Sequence, residues 1–452
     1  MRALARILRT RLYWRFAVFL LPLVVTIFVQ ETSVQWIAGG LARLPMPVES
    51  LAAFGLAWGL STFLTGPLVY SRQMSLVLVE RKQSFWQALY FILFVAGAIT
   101  GVQALLAGTG PGRFFLLHVH RVSAQTTQDV QTMLWWMLAH PLLKGIANIL
   151  IGPLIRNRQT RYVSFAAVGG FGAVVVATLI FLQHPYLRTQ PIFLPVAALY
   201  AWQLTELGVV AVGVLRHRQQ IWNARPHGHG MPAHLTLYSI FRFFWPLAGM
   251  VLMQEFSRPL INLFIARQPD GELNLAVIAV VYALGQWPYR WVNETRNLAA
   301  SFLKEDPRFR ALGRFNLSMG LLSILISVGL YWTPLREWIL LSLMGVAPEL
   351  AARAGPPLQL FTFFAVAVAL RSYMQGVGLV ERRTPSMLPS ALLRQVAVVL
   401  SLLLLPLLGL AGATMGVAAL LSGFLVEAFT LLVALRGPAL RARLRPSGAD
   451  AG

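Results

Sequence analysis

Polar and apolar positions along this chain follow a long period. Apolar runs of about 20 residues, the length that crosses a ~30 Å hydrocarbon core, recur from end to end. Short arginine-bearing stretches separate them. The pattern predicts twelve helices, at roughly 15–39, 49–71, 84–108, 128–152, 162–183, 191–215, 237–264, 274–297, 314–332, 354–378, 385–407 and 411–436. The one long polar stretch, residues 216–236 ("RHRQQIWNARPHGHGMPAHLT"), divides them six and six. The expected organisation is therefore a six-helix bundle over 1–215, a cytoplasmic linker over 216–236, a second bundle over 237–436 and a tail over 437–452. The apolar run after the first arginines exceeds a signal peptide's apolar core and reads as a retained first span.

The two groups of six repeat one another. Pro22–Ser33 reads "PLVVTIFVQETS" and Pro246–Ser257 reads "PLAGMVLMQEFS", both P-L-x6-Q-E-x-S and 224 residues apart. At the same offset "LAAFGLAWGL" from Leu51 lies over "LAVIAVVYAL" from Leu275, and Arg158 and Thr160 lie over Arg382 and Thr384. Near the ends of the halves "VAALYAWQLTE" (Val196–Glu206) matches "VAALLSGFLVE" (Val417–Glu427) at an offset of 221. Two six-span units entering from the same side are expected to be related by a pseudo-twofold axis along the membrane normal, with a midplane cleft where alternating-access transporters bind substrate.

Composition sharpens this picture. The chain is 57% hydrophobic and 12% charged, about half the charged share of a soluble protein. Its net charge of +22 is a topology signal. Arginines crowd the N-terminus and every second loop (Arg72/Arg81, Arg156/Arg158/Arg161, Arg216/Arg218, Arg308/Arg310/Arg314, Arg382/Arg383, Arg441/Arg443), and are sparse in the opposite loops. The positive-inside rule then places both termini in the cytoplasm, and no nucleic-acid partner is expected. With no cysteine, disulfides and thiolate sites are excluded. No Walker, H-E-x-x-H or G-x-S-x-G motif occurs, so neither an enzyme nor a cofactor is expected. His227, His229 and His234 belong to the polar linker and are not read as a metal site.

Charges inside spans are expensive and face protein or water. The acidic ones are Glu31, Glu206, Glu255, Glu294 and Glu427; the basic ones are Lys144, Arg242, Arg258, Arg290, Arg296, Arg371 and Arg394. Glu255, Arg258 and Asn262 form one helical stripe, and Gln286, Arg290, Asn293/Glu294 and Asn297 another. Guanidinium forks suit phosphate and carboxylate. Arg258, Asn262, Arg290, Arg371, Arg394 and Lys144 are thus candidate anion contacts. Glu31, Glu255, Glu294 and Arg296 are candidates for orienting them or for taking up a coupling proton. Glu206 and Glu427, repeated near the ends of the halves, read as structural. Gly170 and Val368 sit where the other half has Arg394 and Lys144, so the halves have diverged. Pro22, Pro67, Pro141, Pro246, Pro288 and Pro389 are expected to interrupt spans.

The stretches "FWPLAGMVLMQEFSRPLINLFIARQPDG", "YALGQWPYRWVNETR" and "LLPLLGLAGATMGVAALLSGFLVE" resemble the progressive ankylosis membrane proteins, a resemblance running from about residue 15 to 436. That family is similar in fold to the multidrug/oligosaccharidyl-lipid/polysaccharide exporter superfamily, so the resemblance implies an all-α, MATE-like protein of two six-helix bundles. It also implies export of small polyanions: pyrophosphate, a nucleotide such as ATP, or citrate. A flippase for a lipid-linked precursor is the alternative the same fold allows. Ser257, Arg258, Pro259, Asn262, Pro288, Tyr289, Trp291, Glu294, Arg296, Arg371 and Arg394 match the family's pattern. Lys144 stands where animal members carry an acidic residue and Arg290 where they carry a glycine, and both changes add positive charge. Arginine far exceeds lysine, which points to a bacterial source and an inner-membrane location.

Overall fold

The computed structural model of the chain describes residues 2–41, 43–44, 47–119, 124–184, 190–222, 236–344, 346 and 348–444. Among them every regular element is helical. Two compact units emerge. The N-unit is Ala17–Ala248, and the C-unit is Met1–Phe16 together with Gly249–Gly452.

Among the described residues eight helices are long and apolar enough to cross a membrane unaided, and a ninth span is a pair bent by 45°, Ala124–Trp136 and His140–Arg156. The remaining three of the twelve are Leu237–Ala266, which carries Arg242, Glu255 and Arg258, and two rods broken into shorter pieces. Long apolar side chains stay exposed around the rods, Phe94 at 75% and Leu325 at 69% among them. A soluble domain would bury such residues; a lipid-facing surface keeps them outside. The protein is a multi-pass membrane protein.

Span interruption differs from the sequence expectation in an informative way. Pro22 and Pro246 lie inside continuous helices, Arg2–Leu41 and Leu237–Ala266. Pro67 instead opens a 3-10 turn, Gly66–Tyr70, between Pro47–Thr65 and Ser71–Leu78. Pro288 lies in the short helix Trp287–Arg290, which leads into a 3-10 turn, Trp291–Thr295, and then Arg296–Ser301. Pro141 and Pro389 stand in the first turns of His140–Arg156 and Leu388–Leu404. A proline lacks the N–H that the preceding turn requires, so it breaks the ladder or sits where that bond is already missing. Two short pieces were not anticipated, each ending in a π-helical turn: Phe115–Val119 after the third span and Trp338–Leu343 after the ninth.

These irregularities fall at the repeat offset. The bend at residues 137–139 of the fourth span lies 224 residues before the 3-10 turn Phe361–Phe363 of the tenth. Arg158 and Arg382, 224 apart, are both left-handed, with φ of 60° and 57°. Their neighbours share one bonding pattern: Gln159 N donates to Leu154 O at 2.8 Å, and Arg383 N to Gly378 O at 2.9 Å. A left-handed residue closing a helix through such a long-range amide bond is a Schellman-type stop. A Cβ on Gly152 would lie 2.8 Å from Arg72 O, and one on Gly376 would lie 2.8 Å from Arg296 O. Both pairs keep the 224 offset, so each unit packs its fourth span on its second through the same glycine.

Candidate functional site

The last helix of the C-unit, Gly412–Leu444, carries Glu427 at 0% exposure. A buried carboxylate must be paired and hydrogen-bonded, and this one is. Arg394 Nη1 donates to its Oε2 at 2.9 Å, and Arg371 Nη1 to the same oxygen at 3.3 Å. Gln254 Nε2 donates to Oε1 at 2.7 Å. Arg371 is held a second time, Nη2 to Asn293 Oδ1, at 2.7 Å. Both guanidiniums lie over the ring of Phe424, one helical turn before Glu427, at 4.6 Å for Arg371 and 4.2 Å for Arg394. Tyr289, Phe361 and Phe364 stack on one another, and Tyr289 and Phe364 meet Phe424 edge-on.

Two guanidiniums against one carboxylate leave this cluster one positive charge in excess. The Nε–H of Arg371 and that of Arg394 are buried and have no hydrogen-bond partner. Each buried donor left unmade costs about 1–3 kcal/mol. A planar anion acceptor is the chemical complement of such groups.

Other residues named from the sequence lie elsewhere in the C-unit. On the seventh span Glu255, Arg258 and Asn262 are all exposed; Arg258 stacks over Tyr282 at 5.1 Å. Gln254, the partner of Glu255 in the repeated Gln-Glu motif, is the member that reaches Glu427. Ser257 is buried and accepts from Gln395 Nε2 at 2.8 Å. Glu294 is buried in the 3-10 turn and accepts from Asn297 Nδ2 at 2.7 Å. Arg290 is exposed beside it, and Arg296 is partly buried.

In the N-unit, Glu206 accepts the indole N–H of Trp202 at 3.1 Å. Lys144 Nζ donates to Thr65 Oγ1 at 3.0 Å. Arg156 and Glu80 form a separate buried pair at 2.6 Å, with Arg156 also donating to Val79 O. The side chain of Glu31 and the linker histidines lie outside the described residues.

Sequence reasoning placed Gln254 in the repeated Gln-Glu motif without giving it a site role, and did not single out Phe424, His140 or Trp202. One signal was present for part of this. Gly423 and Trp202 stand 221 apart, as do Glu427 and Glu206, while Gly170 and Arg394 stand 224 apart. Large and small residues have traded helices between the halves.

Comparison with known proteins agrees with this architecture. The family model for the progressive ankylosis protein (ANKH) matches residues 4–318. Among solved structures, the eukaryotic MATE transporter AtDTX14 superposes with a TM-score of 0.69 at 14% identity, over 96% of each chain. The Vibrio cholerae MATE transporter VcmN in its bent form gives 0.69 at 14%, over 96% of this chain and 98% of that one. A MOP superfamily transporter from Pyrococcus furiosus, described as having a binding pocket of reversed polarity, gives 0.64 at 16%, over 95% and 96%. The fold is that of the MATE transporters, twelve helices in two bundles.

Proposed function

We propose, for a chain that belongs to the progressive ankylosis protein (ANKH) family, that it exports small polyanions by secondary transport and binds them at Arg371 and Arg394. Its family and fold are those of membrane transporters. The observation that carries the reading is the buried two-arginine, one-glutamate cluster, with its excess positive charge and two unpartnered Nε–H donors. Glu427, Gln254 and Asn293 hold the guanidiniums in fixed orientation, so little rotamer freedom is lost on binding. Phe424 backs both cations. Exposed Arg258 and Arg290 draw the anion in by charge, and exposed Asn262 offers it an amide N–H.

Pyrophosphate, a nucleotide such as ATP, and citrate all carry the paired oxygens that guanidinium forks recognise. The two units alternate the side from which the anion is reached, in an inner membrane with both termini cytoplasmic, as the arginine-rich loops favour.

The test is uptake into proteoliposomes of labelled citrate, pyrophosphate and ATP. Saturable movement of one of them, reduced at least about tenfold in Arg394→Ala and Arg371→Ala, is the expected result. Unchanged movement in both variants would remove the anion site from this cluster. Movement of a labelled polyprenyl-lipid head group, with none of the anions, would make the protein a flippase.

A further inference from the structure

The third span, Lys82–Gly108, carries a stripe that its repeat lacks. Lys82, Trp86, Tyr90 and Phe94 follow at i, i+4, i+8 and i+12, each one turn further along one slowly winding face. All four are exposed, Trp86 at 46% and Tyr90 at 65%. The rings of Trp86 and Tyr90 lie 6.3 Å apart and are inclined by 34°. At the 224 offset the ninth span holds Asp306, Arg310, Arg314 and Ser318 instead. The stripe is therefore a property of the N-unit and not of the duplicated fold.

The start of this span is cationic. Arg81 and Lys82 are exposed, and Ser84 Oγ accepts the backbone N–H of Arg81 at 3.0 Å, which fixes where the helix begins. The ring of Trp222 packs on Phe85 at 5.3 Å and seats the short helix Arg218–Trp222 there. Exposed Arg218 stands one turn before Trp222 on that helix. No exposed carboxylate answers these charges. Across residues 71–84, 153–162 and 213–222 the one acid is Glu80, which is buried and paired with Arg156. The matching loops of the C-unit carry Glu305, Asp306 and Glu381.

Length and chemistry fit one kind of molecule. Lys82 to Phe94 is about 18 Å of helix, and one leaflet's half of the hydrocarbon core is ~15 Å. Interfacial aromatic belts stop at headgroup depth, whereas this stripe runs about 12 Å past Trp86. Its rings form a rigid wall on which an extended acyl chain keeps its dispersion contacts. The Trp86 indole N–H is a donor for a glycerol ester carbonyl, and the ammonium and guanidinium groups suit a phosphate. Cation, indole, phenol and phenyl thus follow one another as a phospholipid does from headgroup to tail.

We propose that this face of the third span binds one anionic phospholipid, with its phosphate at Arg81, Lys82 and Arg218 and an acyl chain along Trp86, Tyr90 and Phe94. The site stands apart from the transport reading and does not need it.

Native mass spectrometry of the full-length protein, released from micelles holding equal amounts of phosphatidylglycerol and phosphatidylcholine, tests the site. The wild type should retain phosphatidylglycerol over phosphatidylcholine by about tenfold or more. Arg81→Gln/Lys82→Gln should bring the ratio to within about twofold of unity. Trp86→Leu/Tyr90→Leu/Phe94→Leu keeps every charge and an apolar surface toward lipid, and should lower retained phosphatidylglycerol by about threefold or more. Arg310→Gln/Arg314→Gln, on the repeat-related span, should leave the preference as it is in the wild type. A wild type without preference overturns the proposal. So does a preference that survives the leucine variant, which would make it diffuse charge attraction, or one lost equally in the ninth-span variant. Millimolar pyrophosphate should leave the bound lipid in place; its displacement would make this a site for soluble anions and overturn the lipid. Melting in phosphatidylcholine shows which variants fold. Should a multiple variant not fold, Lys82→Gln and Tyr90→Leu decide singly: each should lower the preference by about threefold, and no change in either overturns the site.

Discussion

A Cβ on Gly423 would lie 3.1 Å from Cγ of Arg394, 3.3 Å from its carbonyl oxygen and 2.7 Å from Cγ2 of Val398, so the helix that carries Arg394 packs this close because its neighbour has no side chain. The N-unit reverses the arrangement. Gly170 on the fifth span makes room for Trp202 on the sixth, where a Cβ would come within 2.9 Å of the indole. One repeat spends its space on an arginine donor to the last-span glutamate, the other on an indole donor.

Gly423→Ala should therefore destabilise the C-unit by about 1–3 kcal/mol through overpacking and weaken anion binding. Gly170→Ala should cost a similar amount against Trp202 and leave anion affinity alone. Melting in detergent with and without citrate or pyrophosphate separates the two outcomes, because a ligand stabilises only the protein that binds it.

Removing charges from the cluster should give an ordered result. Glu427→Gln leaves two buried guanidiniums without a counter-charge and should cost about 3–5 kcal/mol. Arg394→Met leaves a one-to-one pair and should cost less, while abolishing the stabilisation that added anion gives. A thermal-shift series at fixed anion concentration reads both. Equal destabilisation in the two variants, with the anion effect intact, would make the cluster structural.

Arg158 and Arg382 hold left-handed backbone with side chains that disfavour it, at roughly 1–2 kcal/mol each. Substituting glycine at either should raise stability by about 1 kcal/mol. The double variant should show the sum, since the positions end helices in different units. Unfolding midpoints in a mild detergent–denaturant mixture check this.

Glu80→Ala should be among the more damaging changes in the N-unit, by about 3–5 kcal/mol, because Arg156 would keep a buried charge with only Val79 O to accept from it. Exchange of anion, measured on whatever fraction folds, should keep its affinity.

Much of the architecture was legible before any coordinates. Apolar runs of membrane length need no tertiary information, and the paired Gln-Glu motifs and the Arg158/Arg382 match disclosed the duplication. The irregular points were less legible, because a proline reports only that one N–H is missing. Pro22 and Pro246 tolerate that inside long helices, whereas Pro67 and Pro288 lie at or next to 3-10 turns. Site partners were the hardest to read. Helical spacing relates residues three or four apart, and it cannot say that Arg371 meets a carboxylate 56 positions later or that Gln254 meets one 173 positions later. Stripes such as Glu255/Arg258/Asn262 are visible on one helix and so drew notice, while the buried cluster is assembled from five helical segments.

The start of the first helix is grouped with the C-unit. Arg15 bonds to Glu305 at 3.0 Å, and Phe16 packs edge-on against Phe302 and Phe315. Those partners lie 290 residues further along the chain in the case of the ion pair. At a synthesis rate of about 5–20 residues per second, they leave the ribosome roughly 15–60 s after the helix that needs them. For that interval Tyr13 and Phe16 have one another but not Phe302 and Phe315, and an early-made segment is among the last to reach its native contacts. A nascent chain stalled before Phe302 should therefore be open to protease near Arg15, and one stalled beyond Phe315 should be protected.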